Sequence, residues 1–198
     1  MCGIVGYIGN KKASKIILDG LKRLEYRGYD SAGISTVQKG NILTTKCKGK
    51  VKFLEDKITL KSHEGTVGIG HTRWATHGKP SDENSHPHND RDNKISLVHN
   101  GIIENHYTLK KYLLSQGYEF KSDTDTEVLV QLINHIYHTQ KIDFVESVRI
   151  ALHEVVGAYG IVIMFEDEPD KLIAAKLGSP LIIGIGDDEY FVASDSSP

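Results

Sequence analysis

Four short apolar runs, at 158–166, 171–176, 181–186 and 190–194, follow one another through the C-terminal part of the chain, separated by turn-rich spacers such as Glu166-Asp167-Glu168-Pro169-Asp170. Strands this closely spaced favour antiparallel pairing, because parallel neighbours need a long crossover connection. The N-terminal part adds more strands. Residues 2–9 read as one, 32–38 and 42–48 flank the hairpin loop Lys39-Gly40-Asn41, and 66–71 and 95–100 lie on either side of a long polar loop, 72–94. Helices are predicted over 12–26, with Ile16, Ile17, Leu21 and Leu24 on one face, and over 106–116, 125–138 and 143–155. Thr124 with Glu127, and Asp143 with Glu146, have capping-box spacing. Strands gathered at both ends with helices between them predict an α+β layered sandwich, since a doubly wound parallel sheet would need regular strand–helix alternation.

At 198 residues the chain is expected to form one domain, and 39% hydrophobic with 25% charged residues is a globular composition. A net charge of −2 gives no reason to expect nucleic acid or an anionic membrane as partner. With neither a membrane-length apolar span nor the basic-then-apolar order of a signal peptide, a cytoplasmic location is expected. The two cysteines, Cys2 and Cys47, make a disulfide framework improbable. Cys47, within Thr44-Thr45-Lys46-Cys47-Lys48, reads as structural.

Cys2 is different because of its position. Trimming of Met1 would leave a residue carrying both a thiol and a free α-amine, whose reference pKa of about 7.7–8.0 suits it to take the thiol's proton. One residue would then supply nucleophile and base, although a small buried hydrophobe on a strand is the ordinary role of a free cysteine. Three chemistries compete for the polar residues around it. Metal binding by His71, His77, His86 and His88 has little support, since neither His-Glu-x-x-His nor paired Cys-x-x-Cys occurs. Nucleotide binding at Gly68-Ile69-Gly70 or Gly184-Ile185-Gly186 fits no phosphate-loop pattern. Attack on an amide bearing an α-carboxylate and an α-ammonium finds a candidate for every part. Arg73 would grip the carboxylate through its planar fork. Asp125, at a helix N-terminus, would accept from the ammonium. The Asn100 side chain and the Gly101 backbone N–H would donate to an oxyanion. Taken singly, each has a plainer reading: a surface ion pair for Arg73, helix capping for Asp125 and a β-turn for Asn100-Gly101.

The segments Met1-Cys2-Gly3-Ile4-Val5-Gly6, Leu24-Glu25-Tyr26-Arg27-Gly28-Tyr29-Asp30-Ser31-Ala32-Gly33, His71-Thr72-Arg73-Trp74-Ala75-Thr76-His77-Gly78, His99-Asn100-Gly101-Ile102-Ile103-Glu104-Asn105 and Ser122-Asp123-Thr124-Asp125-Thr126-Glu127 carry a resemblance. Together they resemble the glutaminase domains of the glutamine–fructose-6-phosphate aminotransferase (isomerizing) family, a group of class II glutamine amidotransferases. Asparagine synthetase and phosphoribosyl pyrophosphate amidotransferase share the cysteine start and the Arg-Gly segment, and they stand as the alternative. Asparagine synthetases typically read Arg-Gly-Pro-Asp where this chain has Arg27-Gly28-Tyr29-Asp30.

The resemblance implies an N-terminal-nucleophile hydrolase fold, a four-layer αββα sandwich of two antiparallel sheets between helical layers. It assigns Cys2 as nucleophile, Asn100 and Gly101 to the oxyanion hole, Arg73 to the glutamine carboxylate and Asp125 to its ammonium. Thr76 and His77 would line the pocket, Arg27 and Gly28 would fix the geometry around the nucleophile, Trp74 would belong to a closing lid, and His86 would take a supporting place. Neither metal nor organic cofactor is implied. The implied reaction is hydrolysis of glutamine to glutamate and ammonia. In a full, homo-oligomeric enzyme the ammonia would serve fructose 6-phosphate on sugar-isomerase domains absent from residues 1–198. Family glutaminase domains continue past the position of Pro198, so the domain is expected to be truncated at its C-terminus, and a fragment that binds glutamine without turnover is a further alternative.

Overall fold

The computed structural model describes residues 2–74 and 78–198. Its strands form two wholly antiparallel sheets. The six-stranded sheet combines β1 (Gly3–Ile8), β2 (Ser31–Gln38), β3 (Asn41–Lys48), β4 (Val67–Arg73), β9 (Ile182–Gly186) and β10 (Glu189–Ala193) in the order β3-β2-β4-β1-β10-β9. The four-stranded sheet is β5 (His88–Asn89), β6 (Ile95–Ile103), β7 (Gly157–Phe165) and β8 (Ile173–Leu177), in chain order.

Three apolar clusters define the layers. One lies between the sheets and joins Ile4, Ile69 and Val192 of the larger sheet to Val98, Val162 and Met164 of the smaller. A second packs the larger sheet against α1 (Ala13–Leu24) and α2 (Val51–Leu60) through Ile17, Leu21, Ile34 and Leu54. The third packs the smaller sheet against α3 (His106–Ser115), α4 (Asp125–Gln140) and α5 (Phe144–His153), with Leu97, Ile163, Leu129, Ile133 and Phe144 among its members. The order helix, sheet, sheet, helix is the αββα sandwich expected. Fully burying each large aliphatic side chain in these clusters contributes roughly 1.5–3 kcal/mol. Among the described residues no helix is long and apolar enough to cross a membrane.

Local structure refines several expectations. The β2–β3 loop is the pair Lys39-Gly40, at φ +52 and +75, and Asn41 already pairs with Gln38. Both loop residues are left-handed, as a type I′ hairpin requires. α2 was not foreseen, although Val51, Leu54 and Ile58 have helical spacing and are its buried residues. Asn100-Gly101 is not a turn and does not end its strand, because β6 continues to Ile103. Thr124 does cap α4, accepting from the Glu127 N–H at 3.2 Å. Glu127 leaves the reciprocal half of the box unmade and takes the N–H groups of Lys121 and Ser122 at 2.9 and 2.6 Å. Asp143 caps α5, accepting from Val145 and Glu146.

Candidate active site

β1 brings Cys2 alongside the end of β4, since Gly3 pairs with Thr72. The Cys2 sulfur accepts the Trp74 N–H at 3.2 Å and lies 3.5 Å from the Trp74 carbonyl. Burial pushes the thiol above its ordinary range, against which the Trp74 N–H and the Arg73 charge pull it down. The larger sheet thus supplies a held but largely protonated sulfur, which needs a nearby base to react.

The smaller sheet faces it with Asn100, whose amide Nδ2 donates to the Cys2 carbonyl at 3.2 Å. Gly101 follows at φ +132, where a Cβ would collide with the Ala158 carbonyl oxygen, so only glycine fits this crossing of β6 and β7. Cys2, Asn100 and Gly101 line one cavity of about 390 Å³, together with Arg27, Arg73, Trp74, His86, His99, Asp125 and, from the loop between β8 and β9, Ser179 and Pro180.

Asp125 is the first residue of α4 and is buried at the cavity wall. One carboxylate oxygen accepts the Ile103 N–H at 2.9 Å and the other the Thr126 hydroxyl at 3.3 Å. Arg73 is buried too, unlike the surface ion pair that was the plainer reading. Its Nη2 donates to the Gly78 carbonyl at 3.1 Å, and Nη1 lies 3.9 Å from Asp30 Oδ1. Arg27 reaches Asp195 Oδ2 at 3.3 Å and the Ser194 carbonyl at 3.4 Å, while Ser194 Oγ accepts the Ile4 N–H at 2.9 Å. Gly28, at φ +98, leaves space that the Trp74 ring fills, since a Cβ there would come within 2.5 Å of it. Trp74 is 55% exposed at the mouth of the cavity. Thr76 and His77 lie outside the described residues.

Four buried imidazoles, His71, His86, His88 and His99, lie beside the site, and His86 and His99 line the cavity. His86 stacks on His71 with centroids 4.3 Å apart and meets His88 edge-on at 5.0 Å. His86 Nδ1 accepts the His99 N–H at 3.4 Å, and His88 Nε2 bonds the Thr124 hydroxyl at 3.0 Å. Burial drives the pKa values of His71, His86 and His88 down, His71 to about 3. Among the described residues no cluster of His, Cys, Asp and Glu is arranged to hold a metal ion. Of the wall residues, His99, Ile102, Thr126, Ser179 and Pro180 were given no site role in the sequence, and Thr124 was marked there only as a helix cap. Ser194 and Asp195, which hold Arg27, were not marked either.

A family model described as "Glutamine amidotransferase domain" matches residues 71–197. The chain belongs to this family. It is 55% identical over 199 residues to the glutamine–fructose-6-phosphate aminotransferase [isomerizing] of Bacteroides thetaiotaomicron, covering 100% of this chain and 32% of the relative. The enzyme of the same name from Clostridium tetani is 55% identical over 195 residues, covering 98% of this chain and 32% of that protein. The domain thus spans about a third of the length of these curated relatives. A solved structure of glutamine phosphoribosylpyrophosphate (PRPP) amidotransferase from B. subtilis, complexed with ADP and GMP, superposes with a TM-score of 0.84 at 32% identity, over 98% of this chain and 42% of that one. The amidotransferase domain described here has the N-terminal-nucleophile hydrolase fold.

Proposed function

We propose that this domain hydrolyses glutamine through a Cys2 thioester and, within a longer polypeptide, supplies ammonia for converting fructose 6-phosphate to glucosamine 6-phosphate. With Met1 removed, the Cys2 α-amine takes the thiol proton as sulfur bonds to the side-chain amide carbon. The carbonyl electron pair moves onto oxygen, where Asn100 Nδ2 and the Gly101 N–H receive it. A removed oxyanion donor costs about 10²–10³ in rate elsewhere. The C–N bond then breaks, the α-ammonium returns its proton to the departing nitrogen, and ammonia leaves. Water attacks the thioester by the same base, releasing glutamate and restoring the thiol. Arg73 holds the substrate carboxylate and Asp125 its ammonium. Arg27 and Gly28 keep the nucleophile and Trp74 in place, His86 supports the site, Trp74 closes over bound glutamine, and Thr76 and His77 contribute to glutamine binding.

The observation that carries this reading is the convergence of Cys2, Asn100, Gly101, Arg73 and Asp125 on one cavity from two sheets and a helix. The relatives' names support the fructose 6-phosphate acceptor, and their length supports sugar-isomerase domains beyond residues 1–198. A reducing, cytoplasmic setting and a homo-oligomeric full enzyme belong to the same proposal. The test is glutamate release from glutamine by purified protein whose mass shows Met1 to be absent, with Cys2→Ala as control. Release that persists in Cys2→Ala, or is absent from the trimmed and folded parent, would overturn it.

A further inference from the structure

The oxyanion assignment depends on which way round the Asn100 amide sits, because only its nitrogen can donate. His71 decides this. It lies on β4, next to Ile4 of β1 in the larger sheet, whereas Asn100 lies on β6 of the smaller one, so the contact between them spans the two sheets. His71 Nε2 is 3.1 Å from the His99 carbonyl and 2.9 Å from Asn100 Oδ1.

The His99 carbonyl can only accept, so Nε2 must carry a proton. A protonated Nε2 can in turn face only the oxygen of Asn100, and the amide nitrogen is left pointing toward Cys2. The ring is neutral, since complete burial holds its pKa near 3. Its other nitrogen, Nδ1, is buried with no hydrogen-bond partner among the described residues. Leaving a buried polar atom unmatched costs about 1–3 kcal/mol. A residue selected for packing alone would not need to incur it. The stack on His86 fixes the ring plane.

We infer that His71 is a positioning residue for the amide hydrolysis: its Nε2–H, locked in that tautomer by the His99 carbonyl, aims the Asn100 amide as an oxyanion donor. His71 touches neither substrate nor sulfur and acts through Asn100. The inference rests on the glutaminase reading, but it is separately testable.

His71→Phe keeps a planar ring against His86 and removes the donor, while His71→Gln keeps an N–H within reach of Asn100 Oδ1. With steady-state glutamate release as the assay, His71→Phe is expected to lower kcat about 10–100-fold, a part of the loss seen when a donor is deleted outright. KM for glutamine should stay within about threefold of the parent, because the carboxylate and ammonium contacts are untouched. His71→Gln should recover kcat to within about threefold of the parent. In an Asn100→Ala background, His71→Phe should have less than about a twofold further effect, since the group it aims is gone. Equal losses in the Phe and Gln variants, or full additivity with Asn100→Ala, would overturn the inference.

A second measurement needs no variant. The imidazole 15N shifts of His71 in the parent protein should report a neutral ring protonated on Nε2, and a proton on Nδ1 would overturn the inference even if His71→Phe failed to fold. A parent protein that releases no glutamate would instead overturn the glutaminase reading, with the tautomer measurement still deciding the role of His71.

Discussion

His63 gives the chain a titration that can be isolated from the active site. It is fully buried near α2, with Nδ1 2.9 Å from Thr36 Oγ1 and Nε2 2.8 Å from Thr45 Oγ1. Burial, with lesser repulsion from Lys61 and Lys12, lowers its pKa from 6.5 to about 4. The unfolded chain therefore binds this proton more readily than the folded one. The stability held in the neutral ring is complete above about pH 6.5 and is lost as pH falls toward about 4. Integrated down to about pH 5, the loss is about 2 kcal/mol, and it approaches about 3 kcal/mol below pH 4. The assay is urea unfolding of the parent and of His63→Gln at about pH 7.5 and about pH 5, where the m-value converts 2 kcal/mol into a midpoint shift of about 1 M. The buried histidines of the active site titrate in both proteins, so they cancel in the difference. The parent should lose about 2 kcal/mol more than His63→Gln over that interval. Parallel pH dependences in the two proteins would refute the reasoning, because His63 would then not differ between folded and unfolded states.

Gly28→Ala should push the Trp74 ring off its seat and strain a left-handed backbone, lowering glutamine turnover about tenfold or more. Trp74 is the only tryptophan, so its fluorescence reports the displacement directly, and an unchanged spectrum with unchanged rate would sink the idea. Asp125→Asn keeps an oxygen for the Ile103 N–H but loses the charge facing a substrate ammonium. KM for glutamine should rise roughly 10–100-fold, the value of a charge-assisted hydrogen bond. An unaltered KM would remove Asp125 from substrate binding. Iodoacetamide should label Cys2 slowly near neutral pH and faster as pH rises, while Cys47, buried and pushed up to about 11, stays unlabelled in the native protein. Peptide mass mapping that finds Cys47 modified first would contradict the burial assigned to both thiols.

Legibility in the sequence followed the range of the interactions involved. Strand spacing and the Thr124 and Asp143 caps are local signals, and they appear in the structure close to where they were expected. α2 was missed because its first-turn partner is remote. Lys50 offers no side-chain cap, and the Val51 N–H is taken at 2.8 Å by Glu25 Oε1, which belongs to the segment after α1. Arg27 was legible as a site residue but the groups that hold it were not, because Ser194 and Asp195 reach it from the far end of the chain. His71 was legible only as one of several imidazoles in and beside the long polar loop. Its partner Asn100 stands on another sheet, and no spacing within 71–78 announces that pairing.

The division of the site between the sheets explains why its polar groups are so heavily braced. The nucleophile rides on the larger sheet and the amide donor on the smaller, and the apolar layer between them, Ile4, Ile69, Val98 and Val162 among others, has no directional preference of its own. Apolar packing sets the spacing of the sheets, but a slide of about 1 Å would cost it little while spoiling an oxyanion contact. Directional bonds across the gap supply the missing constraint: His71 to Asn100, Asn100 to the Cys2 carbonyl, and Ser96 Oγ to Ser35 Oγ at 2.8 Å. The first two act at the site itself, and the third ties the sheets together further along β6 and β2. The buried polar residues between the layers, costly in a core chosen for stability alone, are where the fold sets its catalytic geometry.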